Sequence, residues 1–425
     1  MDAVIICGLG FIVFALFLRI PVAFAVGMCA LLYGFVTGMI PITAMVHRMA
    51  LATESWPIMA VPFFVLMGNA LNQGKSGRCL MDLANSLVGS FWGGLASVSI
   101  VISMFFGGCS GSAVADASSV GSVLIPEMVK RGYGKGYSAA VNAASSTIGI
   151  IIPPSIPMIL YGWITEVSIR DLFLAGLIPG VLVGIFQISV AAYLGYRRKY
   201  YMVKRPDPKI IWKNLKKSAL ALFTPVLVMG GILFGVYTTT EAAIFGALYV
   251  IVIELFFYKG LNLKSLFTII IQSAKVTGVV LFLIATSFML TYIILLSGLP
   301  GILTASLESI IPNGTVALLV IAGVLLVTGT FLDLAPSLLI FTPILYPLAL
   351  KFGVNPVQLG VVIVMVLAVG LFTPPVGQTL YISALLAETP IEDVSRNIFW
   401  FLTTIVFVVV LTIFFPHATM FLAGL

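Results

Sequence analysis

Charge is scarce in this chain. Of 425 residues only 9% are Asp, Glu, Lys or Arg, against 60% hydrophobic, and the mean hydropathy is +1.17. So little charge cannot cover the surface of a soluble protein of this length. The bilayer is therefore the solvent for most of the chain, and soluble-enzyme functions are excluded. Histidine is nearly missing: His47 and His417 are the only two, too few and too far apart for a transition-metal site. The four cysteines, Cys7, Cys29, Cys79 and Cys109, have no paired spacing and read as small buried apolar residues. The first apolar run, Val4–Leu18, has no basic n-region and no small-residue cleavage site, so it reads as a spanning helix and not a signal peptide. A net charge of +7 could suggest a nucleic-acid surface, but nine of the 22 Lys and Arg fall between Arg197 and Lys217. That is a basic loop between spans, which orients a chain in a bacterial membrane.

What is present is apolar length with interruptions. Full crossings are expected near 3–18, 22–40, 56–72, 136–165, 172–196, 218–237, 241–258, 277–296, 356–388 and 397–422. Two further stretches, 93–128 and 314–350, are each broken midway by Gly, Ser, Asp or Pro and read as re-entrant hairpins. Segments 79–90 and 262–275 mix apolar and polar residues and read as interfacial. The fold class expected is an all-α polytopic membrane protein with about ten spanning helices and two re-entrant hairpins. With Arg19 cytoplasmic, 19 Lys and Arg lie inside and only Arg48, Arg170 and Lys351 outside, as the positive-inside rule requires. Both termini then face outward. Reading each hairpin as two crossings keeps the same parity, so charge alone does not decide re-entrance.

An internal repeat organises the chain. Pro126 is followed 27 residues later by Pro153-Pro154, and Pro347 is followed 27 residues later by Pro374-Pro375. Lys130 matches Lys351, Gly132 matches Gly353 and Gly149 matches Gly370 at an offset of 221, while Asp116 matches Asp333 at 217. The first Lys-Gly loop falls on the cytoplasmic side and the second outside, so the two repeats are inverted. Inverted repeats with broken helices are a recurrent design of secondary transporters, with the binding site where the copies meet.

The breaks are rich in oxygen. Ser110, Ser112 and Asp116 sit at the first hairpin, facing in the repeat plan the segment Ser145–Pro157. Pro153, Pro154 and Pro157 have no amide hydrogen, which frees upstream carbonyls such as those of Gly149 and Ile150. Unpaired carbonyls in a membrane are tolerated where they line a cavity or hold an ion, and hard cations take oxygen ligands. The second copy offers Thr328, Gly329, Thr330 and Asp333 with Gly370, Thr373, Pro374 and Pro375. The plainer alternative is tight helix packing by small residues and proline kinks, with Asp116 and Asp333 serving as helix caps. A carboxylate solute would be met by Ser155, Tyr161, Gln378 and Thr379, just past the proline pairs. Gly74-Lys75-Ser76 resembles the end of a phosphate loop, but the glycine required five positions earlier is Asn69, and ATP hydrolysis is not expected.

The strings at 104–126, 143–162, 60–74, 171–180 and 370–383 closely resemble the large membrane subunit of tripartite ATP-independent periplasmic (TRAP) transporters, and the resemblance covers essentially the whole chain. It implies a sodium-coupled elevator in which a transport domain holding both hairpins slides against a scaffold. It also implies a separate small membrane subunit of about four helices. A periplasmic substrate-binding protein would deliver an organic acid, a C4-dicarboxylate or a sialic acid. Carried over by position, the first sodium site falls on Ser110 and Ser112 with carbonyls around Gly149, Ile152 and Pro154. The internal repeat places the second on Thr328, Gly329, Asp333, Gly370, Thr373 and Pro375.

The expectation is therefore a secondary active transporter subunit in the bacterial inner membrane, using neither ATP nor a transition metal. Its divisions are scaffold and arm at 1–92, a first transport repeat at 93–165, and scaffold with the basic loop and a second arm at 166–313. A second transport repeat at 314–388 and a C-terminal helix at 389–425 complete it. A passive channel or carrier without sodium coupling is the alternative. A membrane enzyme would need a His or Cys cluster that the sequence lacks.

Overall fold

The computed structural model describes residues 18, 20–38, 41–90, 93–200, 207–308 and 310–424, and among them there are helices and no strands. The span expected at 3–18 lies outside the described residues. Glycine, proline and short capping side chains set nearly every boundary. The first helices are α1 (Val22–Thr37), α2 (Ile42–Thr53), α3 (Ala60–Gln73) and α4 (Lys75–Val88). Two broken elements follow: α5 (Gly94–Ser110) with α6 (Ala113–Lys130), then α7 (Lys135–Ser146) with α8 (Ile156–Thr165). Three long helices come next, α9 (Ile169–Arg197), α10 (Pro208–Leu233) and α11 (Thr239–Val252, prolonged by a π turn to Phe257). The chain continues with α12 (Leu263–Leu296), α13 (Leu299–Leu307), α14 (Gly314–Gly329), α15 (Leu334–Lys351), α16 (Pro356–Gly370), α17 (Gln378–Ala387) and α18 (Ile391–Phe414).

Six of the described helices are long and apolar enough to cross a membrane, or seven if the pair Ile42–Thr53 and Trp56–Gln73, bent by 54°, counts as one span. The sequence count of about ten differs in four ways: 3–18 lies outside the described residues, Val22–Thr37 has only 16 residues, Leu334–Lys351 is a long apolar helix inside an expected hairpin, and two expected spans are broken. The stretches 136–165 and 356–388 are each divided by a Pro-Pro break into two helices too short to cross alone. The stretches 262–275 and 277–296 differ in the opposite way: Asn262 caps Ser265 N at 2.8 Å and one helix of 34 residues runs on to Leu296. At 1.5 Å per residue it is about 51 Å long, well beyond a hydrocarbon core of about 30 Å, so its polar start projects past the core without a separate segment.

Two sets of packed helices share one main core and meet where α12 and α13 lie on α15 and where α3 and α4 lie on α5. In one, α11 lies on α3, α12 lies on α1, α2 and α3, and α10 lies on α11 and α4. In the other, α5 packs on α6 and α14 on α15, so each expected hairpin folds back on itself. Helix α7 is central to the first hairpin's surroundings and α16 to the second's: every residue of Gly136–Ser146 and of Val357–Gly370 is buried, α16 because it is apolar all round and α7 although Ser138, Asn142 and Ser145 share one face. The halves after the breaks are exchanged, α17 packing on α6 and α7 and α8 on α15. Helix α9, assigned with the scaffold from sequence, packs on α5, α16 and α18. Large apolar side chains such as Phe223, Val226, Phe245, Leu248 and Val279 face outward, the inversion of a soluble protein that lipid permits.

Candidate functional site

At the first hairpin α5 ends on Gly111, whose φ of +58° is left-handed, a conformation costing an L side chain about 1–2 kcal/mol. The chain then extends through Ser112, whose Oγ accepts from Ala115 N at 3.4 Å and caps α6. Ser110 Oγ donates to Asp116 Oδ1 at 2.7 Å. Asp116 is completely buried, and its other oxygen, Oδ2, has no hydrogen-bond partner among the described residues. Gly149 stands against that oxygen, in a tight turn of Thr147–Ile150. A methyl on Gly149 would run into Asp116 Oδ2, and one on Gly107 into the Gly149 backbone. The prolines at 153 and 154 supply no N–H to the carbonyls upstream. The Ile150 carbonyl instead accepts from Ser155 Oγ at 2.5 Å.

The second hairpin repeats the close approach. A methyl on Gly370 would run into the backbone of Gly329. Asp333 caps α15, accepting from Leu334 N at 2.7 Å, whereas Asp116 leaves capping to Ser112. Thr373 Oγ1 donates to Val369 O at 2.6 Å, and Thr328 Oγ1 to Leu325 O at 3.4 Å. The hydroxyl hydrogens of both are thus turned to their own helices, leaving oxygen lone pairs as what they can offer a cation.

Both hairpin tips open on one cavity of about 420 Å³. Ser110, Ser112, Asp333 and Gln378 line it from the hairpins and the second break; Val65, Asn69, Val276 and Val280 line it from α3 and α12. Its wall is mostly apolar with a few convergent polar groups, the usual make-up of a small-molecule site. Of the four expected solute contacts, only Gln378 reaches it. Ser155 is buried and caps α8; Tyr161 OH donates to Pro356 O at 2.7 Å; Thr379 Oγ1 bonds Leu371 O at 3.0 Å and Ala143 O at 3.1 Å. Each hydroxyl donates its hydrogen to a backbone carbonyl, and none of the three lines this cavity. A larger recess of about 550 Å³, lined among others by Trp163, Glu166, Arg170 and Tyr237, lies away from both breaks.

Sequence reasoning passed over three groups. Asn69 Nδ2 donates to Ser273 Oγ at 2.9 Å on the cavity's far wall; a carboxamide inside an apolar helix was the available signal. Asn142 bridges α6 and α17, donating to Ala117 O and to Ser383 Oγ. Glu254 is fully buried, and its carboxylate accepts from Lys75 N at 2.9 Å and Ser76 N at 2.8 Å at the start of α4. The phosphate-loop look-alike is thus an anion-receiving helix terminus, filled by the chain's own Glu254 with Gly74 and Gly260 clearing the space.

The family model described as "Tripartite ATP-independent periplasmic transporter, DctM component" matches residues 9–418. The isethionate TRAP transporter permease protein DctMQ of Oleidesulfovibrio alaskensis is 34% identical over 97% of this chain, which spans 65% of that relative's length. The sialic acid TRAP transporter large permease protein SiaM of Vibrio cholerae is 33% identical over 96% of both chains. Among solved structures, the Alcanivorax borkumensis YdaH transporter aligns with a TM-score of 0.61 at 16% identity, over 88% of this chain and 87% of that one, a likeness of fold. This chain belongs to the DctM component family of TRAP transporters, and it is a multi-pass permease subunit, not an enzyme.

Proposed function

We propose that this permease imports an organic acid across the bacterial inner membrane, driven by sodium, after a periplasmic substrate-binding protein has delivered the solute. The observation that carries the reading is Asp116. A fully buried carboxylate oxygen with no partner among the described residues, close against Gly149, is costly as an anion unless a cation completes it. The residues fit: Ser110 and Asp116 offer side-chain oxygens, and the segment Gly149–Pro154 offers carbonyls that the prolines leave without helical donors. At the second break Asp333, Thr328 and Thr373 with the Gly329, Gly370 and Pro375 backbone form the corresponding set.

In this reading the two hairpins and their broken helices form inverted repeats and move as one body with α9 and α18. They slide against α1–α3 and α10–α13, with α4 as the connecting arm. Sodium entering at both breaks fixes the tips, and the acid then binds in the shared cavity against Gln378 and the tip hydroxyls. One charge moving down 100 mV supplies about 2.3 kcal/mol. A separate small membrane subunit widens the fixed group. The names of the relatives, isethionate and sialic acid permeases, support an organic acid, with C4-dicarboxylates and sialic acids the candidates to try first.

The test is uptake by proteoliposomes holding this chain and its small subunit, with acids loaded on the binding protein, in sodium or in choline. Uptake that requires both sodium and the loaded binding protein supports the reading. Equal uptake in choline contradicts it and favours a passive carrier.

A further inference from the structure

One side chain ties the two breaks together. Asn142 lies on α7, seven residues before Gly149, about two helical turns from the first candidate ion site. It is buried, and its Nδ2 makes two bonds of 2.9 Å. One goes to the carbonyl of Ala117, the residue after Asp116; the other goes to Ser383 Oγ on α17, in the opposite repeat. Both amide hydrogens are used, one in each direction. Gly121 is the clearance that allows it: a methyl there would meet Asn142 Nδ2 and Leu386 of α17. One turn before Ser383, Thr379 bonds the carbonyl of Ala143, the residue next to Asn142. Helix α17 begins with Gln378 on the cavity wall and follows directly on the second break, which carries Thr373 and Pro375. The backbone that presents Asp116 and the helix that follows Thr373 are therefore fixed to the same amide group.

We propose that Asn142, acting through Ser383, is a positioning residue that couples the two candidate ion sites, so that occupancy of one raises the affinity of the other. The proposal rests on the sodium-coupled reading above. An ion that draws Asp116 toward Gly149 sets the Ala117 carbonyl; Asn142 passes that setting to α17, and α17 fixes the second break. By linkage the effect is reciprocal. Contiguity alone does not establish energetic coupling, so the test must read coupling and not stability.

The experiment is a sodium titration of the purified complex of this chain with its small subunit, choline replacing sodium, followed by thermal melting. The wild type should respond with a Hill coefficient clearly above 1. Ser383→Ala removes only the bond to the opposite repeat and leaves the one to Ala117. It should bring the Hill coefficient to about 1 and raise half-saturating sodium at least about fivefold. Asn142→Asp, isosteric and without amide hydrogens, is measured in parallel and should shift sodium response the same way. Ser383→Thr keeps the hydroxyl and should stay within about twofold of wild type. An unchanged Hill coefficient in Ser383→Ala overturns the proposal, including the case where melting falls equally at every sodium concentration, which would mark a pin of stability alone. A wild type indifferent to sodium contradicts the ion-coupled reading itself, a result distinct from loss of cooperativity in the variants.

Discussion

Replacing Asp116 by Asn separates an ion ligand from a structural acid by the sign of its effect. The substitution is nearly isosteric and keeps an oxygen for the Ser110 hydroxyl, which now bonds Oδ1 at 2.7 Å. Without sodium, the wild type carries a buried carboxylate with one oxygen unpartnered among the described residues. An unsatisfied buried group costs about 1–3 kcal/mol, and more when charged. Against that, an acid in the first turn of α6 gains about 0.3–1 kcal/mol from the helix dipole. Asn relieves only the charged part of that cost, because its amide is as unpartnered there as the oxygen was. That part outweighs the lost dipole gain, so Asp116→Asn should melt at or slightly above wild type in choline. With sodium at 10 to 100 times its dissociation constant, the wild type gains about 1.4–2.7 kcal/mol. For a chain of this length that is a rise of about 1.5–3 °C. The variant should gain less than half of this. Melting curves of the purified complex in matched sodium and choline buffers give both numbers. The reasoning is refuted if Asp116→Asn gains as much from sodium as the wild type, or if it melts well below wild type in choline.

Other expectations follow from the same geometry. Gly149→Ala and Gly370→Ala each force a methyl into the close approach at one break; overpacking of this kind costs about 1–3 kcal/mol, and uptake at fixed sodium should fall at least about tenfold while the protein remains monodisperse. Gln378→Ala should raise the apparent KM for the solute about tenfold, the effect of about 1.4 kcal/mol, with sodium half-saturation unchanged. Ser155→Ala should instead lower stability by about 1 kcal/mol through the lost cap and leave KM alone. Glu254→Gln removes the charge from the two bonds to Lys75 and Ser76 and should lower the melting temperature equally in sodium and choline, by an effect of about 1–3 kcal/mol.

Much of this arrangement is legible in the sequence because breaks have local causes. Glycine, aspartate and the two Pro-Pro pairs mark the breaks, and the structure interrupts its helices there, ending α5 before Gly111 and starting α15 after Asp333. What a break does not reveal is which way its neighbours point. Ser155, Tyr161 and Thr379 lie within a few residues of a break, yet each turns into the protein and bonds a backbone carbonyl, while Gln378 alone turns to the cavity. The far wall was illegible for another reason: Asn69 and Ser273 meet across 204 residues of sequence, and no local pattern announces such a pair. Glu254 was readable in principle, as an acid deep in the apolar run 242–258, an intramembrane charge that demands a partner. That its partner is the start of α4 required the fold. The joining of 262–275 to 277–296 shows the limit of composition, since a polar helix start and an interfacial segment look alike until the backbone is seen to be continuous.

The central claim, that a sodium gradient does the work, is tested most directly by accumulation. Proteoliposomes containing the complex are given equal solute on both sides, loaded binding protein outside and an inward sodium gradient as the sole driving force. The account predicts that internal solute rises above the external concentration and falls back when a sodium ionophore collapses the gradient. Internal solute that never exceeds the external level, or accumulation that survives the ionophore, would contradict it.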